Sequence, residues 1–309
     1  MTLKQLEAFY RAATCESFAI AAQRLHLSVS TLSKRISDLE EYLGQALFDR
    51  DHYRASLTSA GLAMLPKVSQ LLKQADELRY LTLAEQGVQG NLRFAVGELA
   101  SLTWLPRFMS VAAQRYPGLT LEPHVDVGQE MELGVQRGDL DFAIISGTSS
   151  RPNVDSHKIG TAQFCWVIAP SLKAQCSTVS EFASLALPLV TMPPGAGTYR
   201  MLEAWIQHNG VVWGKRLTCN TWGSVAALLL EGAGVGFLPR AWAEPLQQQG
   251  LLVVLEDWPA LPSLYYSLQT RKDDIRLVMR VVRQLLDEEV NFALPIRFLA
   301  GNMQEPKHS

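Results

Sequence analysis

Two short helical patterns that meet at a tight connection constrain the fold of this chain more than any other stretch. In the first pattern, Phe18, Ala21, Ala22 and Leu25 recur at spacings of three and four residues, which places them on one face of a helix. The adjacent alanines remove side-chain bulk where a second helix must cross closely. The spacing therefore predicts a short helix that ends near Leu27.

The second pattern predicts a helix with one buried face. Leu32, Ile36 and Leu39 form its apolar stripe, and Ser28 or Ser30 can cap its N-terminus. Its other faces carry hydroxyl groups and a cation, from Ser30, Thr31, Ser33, Lys34 and Ser37. Such a helix suits a DNA major groove, because hydroxyl groups reach base edges and cations neutralise phosphates. On spacing alone, an ordinary two-helix corner with a solvated polar face stays open.

The residues after the second helix favour a winged arrangement. Gly44 can end the helix in the left-handed cap conformation. The segments LFDR (47–50) and LTSAG (57–61) then bracket a short polar hairpin over 51–56, as in a DNA-binding wing. Thr58 can cap the helix that follows.

The segments SFAIAAQRLHLS, SKRISDLEEYLG, LFDR and LTSAG together resemble the LysR-type transcriptional regulators, and the resemblance extends over the whole chain. It implies a winged helix-turn-helix, a long linker helix and a two-lobed α/β effector domain like that of periplasmic binding proteins. The implied boundaries are 1–58 for the DNA-binding domain, 59–89 for the linker helix and hinge, and 90–300 for the effector domain, with lobe I at 90–163 and 266–290 and lobe II at 164–265.

The resemblance also implies a function: sequence-specific regulation of transcription from double-stranded operator DNA, modulated by a small-molecule effector bound between the lobes. It implies a homodimer through residues 59–87, a homotetramer and contact with RNA polymerase. Two departures concern the DNA sequence bound: Val29 replaces the glutamine usual in the family, and the wing is less basic. The implied DNA-binding residues are Ser28, Val29, Ser30, Thr31, Ser33, Lys34, Arg35, Arg50 and Arg54.

A long helical pattern runs from Ser59 to about Gly87. Its apolar residues approach a heptad repeat, which predicts a dimer seam. The seam residues are Leu65, Val68, Leu72, Ala75 and Leu78. Pro66 lacks an amide donor and should kink the helix unless it lies within the first turns.

Beyond a glycine-bearing hinge at 86–90, strands alternate with helices, which predicts parallel sheets covered on both faces. The first set of strands is Leu92–Val96, Leu119–Val127 and Asp141–Ile145, with helices at 102–116 and 130–137. The second set is Phe164–Ala169, Leu187–Thr191, Arg216–Cys219 and Gly234–Leu238, with helices at 198–208 and 223–232. The family places the last strand and helix, 264–269 and 273–289, back on the first lobe.

Ligands of open α/β sheets bind at the carboxyl ends of strands, where helix N-termini present free N–H groups. With the resemblance, this predicts an effector site of Glu98, Leu99, Ser101, Gly128, Gln129, Ser146, Gly195, Gly197, Thr198 and Trp222. A carboxylate at Glu98 would repel an anion, so we expect a neutral, zwitterionic or cation-bearing effector that donates a hydrogen bond to it. The alternative is that Glu98 turns outward and the site takes a simple carboxylate. Trp222 can stack on an effector ring or belong to the core.

Composition and motifs restrict the remaining possibilities. The net charge is −2, so DNA attraction must come from the arrangement of charges. Cysteines 15, 165, 176 and 219 show neither C-x-x-C nor metal-ligand spacing, so we expect inert thiols, no metal and no cofactor. No signal peptide or membrane-spanning run is evident, which predicts a soluble, cytoplasmic protein without membrane contact.

Catalytic motifs are missing: there is no G-x-S-x-G or H-E-x-x-H, and the histidines are scattered singly. The chain is therefore predicted not to be an enzyme. Two alternatives to an effector-responsive regulator stay open. One is a DNA-bound regulator with a closed cleft that senses no small molecule, and the other is an enzyme on a Rossmann-like fold.

Overall fold

The computed structural model describes residues 1–15, 17–49, 56–82, 88–173 and 187–295. The contacts form two compact units. The N-terminal unit comprises Met1–Gly90, Tyr116–Leu119 and Arg271–Val282, and the second unit comprises the remainder. The effector-domain boundaries inferred above stay a prediction, and the contacts associate Arg271–Val282 with the N-terminal residues.

Three helices open the N-terminal unit: α1 (Leu3–Thr14), α2 (Phe18–Arg24) and α3 (Val29–Leu43). Ser28 caps α3, because its Oγ accepts the Thr31 N–H at 3.1 Å. Gly44 ends the helix with a φ of 67°, a conformation that favours glycine. Both caps are as predicted. The burial of Leu32, Ile36 and Leu39 confirms the predicted apolar stripe.

A buried carboxylate binds the backbone of the segment that follows α3. The Glu40 side chain accepts the N–H groups of Leu47 at 2.7 Å and Phe48 at 3.1 Å. Here β1 (Phe48–Asp49) pairs with β2 (Ser56–Leu57) in antiparallel register. The predicted wing residues between these strands, 50–55, lie outside the described residues, and so do Arg50 and Arg54.

The long helix α4 (Ser59–Thr82) begins at the predicted cap, where Thr58 Oγ1 accepts the Gly61 N–H at 3.1 Å, and it continues through Pro66. Part of its apolar stripe packs against other residues of the same chain. Val68 is buried in the N-terminal core, and Leu65 and Leu72 pack against that core. The predicted dimer seam stays a prediction, with Val68 buried inside its own chain and Leu65 and Leu72 partly exposed beside that core.

Beyond the hinge, the predicted strands and helices are present, and further elements that the sequence did not predict lie between them. In chain order the elements are β3 (Gly90–Val96), α5 (Glu98–Leu102), α6 (Leu105–Arg115), β4 (Leu119–Val125), α7 (Gly128–Arg137), β5 (Phe142–Ser146), β6 (Val154–Ala162), β7 (Phe164–Ile168), α8 (Pro170–Lys173), β8 (Leu189–Thr191), α9 (Gly197–His208), β9 (Arg216–Thr218), α10 (Trp222–Leu230), β10 (Val235–Pro239), α11 (Arg240–Gln248), β11 (Val253–Val254), β12 (Leu264–Arg271) and α12 (Leu277–Glu289).

In the described part of the chain these strands form two five-stranded sheets. The first has the order β4-β3-β5-β12-β6, and the second has the order β11-β7-β10-β8-β9. Both are mixed, since β12 runs antiparallel to β5 and β10 runs antiparallel to β7. The expectation of purely parallel sheets is wrong at these pairs, because strands from distant parts of the sequence complete each sheet.

Aromatic side chains fill the interior of the second unit. Phe94 stacks on Phe142 at 4.6 Å between ring centroids, beneath the first sheet. Trp166 contacts the ring of Trp205 at 4.7 Å on the second. None of the helices in the described ranges has the length and hydropathy needed to cross a membrane.

A charged cluster is buried in the N-terminal unit. The Asp273 carboxylate lies 3.1 Å from Arg11 Nη1, 2.9 Å from Arg24 Nη1 and 3.5 Å from Arg271 Nε. Asp274 accepts hydrogen bonds from Arg276 and has no exposed side-chain area. We call Arg11, Arg24, Arg271, Asp273 and Asp274 the Asp273 cluster. It ties the first two helices to the segment that follows β12.

Burial and charge act in opposite directions on Asp274. Burial favours the neutral acid and raises the pKa of this carboxyl. The hydrogen bond from Arg276 and the charges of Arg276, Arg271 and Arg11 lower it by more, so the pKa lies below its ordinary value. The carboxylate is therefore stabilised in its ionised form.

Candidate functional site

The N-terminus of α3 presents a connected group of hydroxyls. Besides accepting the Thr31 N–H, Ser28 Oγ lies 2.9 Å from Ser30 Oγ and 2.7 Å from Thr31 Oγ1. All three residues are exposed. Their hydrogen bonds hold the hydroxyls in fixed positions at a helix end whose dipole favours an anion.

The remaining predicted DNA-binding residues of α3 extend this surface. Lys34 is exposed, Ser33 and Arg35 are half-buried, and Val29 is 46% exposed. The buried stripe fixes the orientation of the helix within its domain. The result is a helix end with hydroxyl groups and cations, the groups that bind phosphates and base edges.

A cavity of about 540 Å³ lies within the second unit, at loops that follow strands of both sheets. It is lined by nine of the ten predicted effector residues: Glu98, Leu99, Gly128, Gln129, Ser146, Gly195, Gly197, Thr198 and Trp222. Ser101 is outside the lining, and its hydroxyl donates to the Glu98 carbonyl oxygen at 2.7 Å. The structure thus brings together loops that are far apart in the sequence.

The two glycines of the loop before α9 have different structural roles. Gly195 has a φ of 100°, which favours glycine. At Gly197 a Cβ would lie 1.8 Å from Ser146 Oγ, so only glycine allows these two loops to approach. The close approach is between protein segments, and it forms part of the cavity wall.

The Glu98 carboxylate is held by a helix N-terminus. Its Oε2 accepts the Trp222 N–H at 2.6 Å, and Oε1 lies 3.5 Å from the Gly223 nitrogen. A carboxylate at the positive end of a helix is in a favourable position. We call these two contacts the Glu98 bridge.

The Trp222 ring belongs to the core. The residue is 4% exposed, and its ring stacks with Phe164 at 5.8 Å and meets the edge of Phe237 at 5.8 Å. Of the two roles that the sequence left open for this ring, the burial and the ring contacts favour the core. The residue lines the cavity beside Glu98, to which its backbone donates.

The sequence prediction missed polar residues of the cavity wall, including Asp126, Glu132, Arg200 and Gln269. Glu132 is paired with Arg151, whose Nε lies 3.3 Å away. Gln269 is 1% exposed, and its Oε1 has no hydrogen-bond partner within the described protein. The sequence did hold a signal for Gln269, because a polar residue within the apolar strand β12 can indicate a binding site.

Two helices begin at the cavity without a side-chain cap. The N-cap residues are Val127 for α7 and Ala196 for α9, neither of which makes a side-chain cap hydrogen bond. Their first N–H groups therefore have no intrahelical partner. The cavity combines these donors with the acid Asp126, whereas Glu132 is already paired with Arg151, so it offers groups for both an anionic and a cationic part of one molecule.

Comparison with protein-family models gives two matches that together span most of the chain. Residues 85–291 match the LysR substrate binding domain. Residues 3–62 match the bacterial regulatory helix-turn-helix protein, lysR family. The α3 surface lies within the helix-turn-helix match, and the cavity lies within the substrate-binding match.

Individual proteins show the same similarity. The HTH-type transcriptional regulator CzcR of Bacillus cereus is 26% identical over 277 residues, covering 88% of this chain and 92% of that protein. The full-length LysG structure from Corynebacterium glutamicum with bound effector Arg has a TM-score of 0.58 at 19% identity, covering 94% of this chain and 98% of the other. ArgP from Mycobacterium tuberculosis has a TM-score of 0.57 at 20% identity, covering 92% and 96%. At these identities the structures show the fold.

Proposed function

Since this chain belongs to the LysR family of DNA-binding transcriptional regulators with an effector-binding domain, we propose that α3 enters the operator major groove and that the cavity binds the effector. The observation that carries the DNA-binding proposal is the exposed N-terminus of α3. The hydroxyls of this helix end and the Lys34 side chain are exposed. Leu32, Ile36 and Leu39, on the opposite face, are buried in the domain. Operator binding also implies the cytoplasm as the site of action.

Lys34 provides the test of the DNA interface. If it neutralises one phosphate, Lys34→Ala weakens binding and reduces the slope of log affinity against log salt by about one. The duplexes for this assay come from selection of a randomised library with the full-length chain. Lys158→Ala is the matched control, because Lys158 is an exposed lysine of the second unit. An unchanged slope in folded Lys34→Ala protein would remove Lys34 from the interface.

For the effector we propose a neutral or zwitterionic small molecule. Its anionic or polar end would accept hydrogen bonds from the uncapped start of α9 at Gly197 and Thr198. Its cationic or donor end would face Asp126 and the free oxygen of Gln269. Gln269 supports a polar ligand, because a buried amide oxygen without a partner is costly.

Thermal-shift screening tests the effector proposal. The panel contains amino acids, simple carboxylates and neutral polyols, and the matched variant is Gln269→Leu. A stabilising amino acid that no longer stabilises Gln269→Leu would support the proposed ligand class. Simple carboxylates that stabilise best would contradict it, and no response to any ligand class would favour the regulator with a closed cleft.

We also propose that the chain forms a homodimer through the linker region 59–87 and assembles into a homotetramer that contacts RNA polymerase. On α4, Leu71 is 39% exposed and Leu78 is 65% exposed, and the two residues lie one heptad apart. These apolar side chains, which are more exposed than the buried Val68 and the half-buried Leu65 and Leu72, supply a seam for a second copy.

A further inference from the structure

Val29 is an apolar side chain in an otherwise polar setting. It is the first residue of α3 and is 46% exposed. It is not among the residues that form the N-terminal core or pack against it. Core packing therefore does not explain a valine at this position.

The polar groups around Val29 are hydrogen-bonded to one another. Ser28 Oγ accepts the Thr31 N–H and is bonded to the hydroxyls of Ser30 and Thr31. These hydroxyls keep their remaining donors and acceptors for phosphates or base edges. At the end of the helix that the proposed function places against the bases, Val29 supplies branched methyl groups and no hydrogen-bonding group.

We propose that Val29 is a specificity-determining residue that packs against the C5-methyl group of a thymine in the operator. This inference rests on the proposed DNA-binding function. In the major groove thymine carries a methyl group, whereas the other three bases present only hydrogen-bond donors and acceptors at their edges. A valine in contact with such an edge favours thymine, because methyl–methyl burial is gained only there.

Thymine methyl groups can be removed one at a time without changing base pairing. Full-length protein first selects duplexes from a randomised library, and each thymine of a selected duplex is then replaced in turn by deoxyuridine. We expect replacement of the thymine that contacts Val29 to weaken wild-type binding about fourfold, the effect of losing one buried methyl group. The same replacement should leave the affinity of Val29→Ala nearly unchanged. Val212→Ala should keep the wild-type pattern, because Val212 is 84% exposed in the second unit.

A second variant tests the proposal independently. Val29→Gln presents an amide, which suits bidentate pairing with adenine, so the base selected at the affected position should change from thymine to adenine. Equal deoxyuridine effects in wild type and Val29→Ala, or an unchanged selected base with Val29→Gln, would overturn the role of Val29. Failure of the wild type to enrich any sequence would instead overturn the proposed operator binding.

Discussion

Replacing Asp273 by asparagine removes one negative charge from the Asp273 cluster and nearly preserves the side-chain volume. The Asp273 side chain is 8% exposed, and its partners Arg11 and Arg24 are 13% and 15% exposed. In Asp273→Asn the two guanidinium groups and that of Arg271 keep their charge in a poorly solvated place. Asp274 alone then balances them within the cluster.

The size of the effect follows from the geometry. Unit charges about 3 Å apart attract by roughly 5 kcal/mol at an effective dielectric of 20, and Asp273 has two such partners. Part of this attraction is cancelled, because a neutral side chain also avoids the desolvation cost of a buried carboxylate. Removing one member of a buried ion pair typically costs about 3–5 kcal/mol, which we take as the expected loss in the free energy of unfolding.

Chemical denaturation can separate the two units. All tryptophans lie outside the N-terminal unit, so their fluorescence follows the second unit while far-UV circular dichroism follows both. Asp273→Asn should shift the dichroism transition and leave the fluorescence transition in place. The control Glu77→Gln breaks the exposed pair with Arg280 and should cost less than about 1 kcal/mol. If both variants lose the same small amount, the cluster is not a significant source of stability.

Three further predictions concern other residues. Leu78→Asp should reduce the molar mass measured by light scattering without unfolding the protein, and unchanged assembly would contradict the proposed seam. Glu98→Gln weakens the Glu98 bridge, so fluorescence-detected stability should fall by about 1 kcal/mol or less. Calorimetric titration should then show tighter binding of simple carboxylates, and equal affinities would make Glu98 a bystander. Because the pKa of Asp274 is lowered in the folded state, its stabilising effect is present above its ordinary pKa of about 4 and is lost as pH falls through the lowered value. The stability difference between wild type and Asp274→Asn should therefore shrink on acidification, and a pH-independent difference would exclude this linkage.

Local signals predicted the DNA-binding surface well. The cap at Ser28, the buried stripe from Leu32 to Leu39 and the left-handed Gly44 all depend on residues within a few positions of each other. The loops that line the cavity were also predicted, because the start of each helix follows the end of a strand. Such features need no knowledge of distant parts of the chain.

Features set by distant residues were missed. The pattern of α4 showed an apolar stripe, but it did not show that Val68 is buried in the N-terminal core of the same chain with Leu65 and Leu72 packed against it. The pairing of Asp273 with Arg11 spans 262 residues and leaves no local pattern. Strand β6 was missed because it has a largely polar sequence. Helix α11 was missed because it contains Pro245, a residue that usually interrupts a helix.

The position of β12 has a consequence for synthesis on the ribosome. In the first sheet β12 lies between β5 and β6, although more than a hundred residues separate it from either strand along the chain. The second sheet has all of its described strands once β11 has emerged, whereas the first must wait for β12. Nascent chains therefore carry unpaired strand edges on β5 and β6, which are templates for aggregation. A premature stop before Leu264 would make that vulnerable intermediate permanent, so such truncated chains should accumulate as insoluble protein rather than as a smaller effector domain.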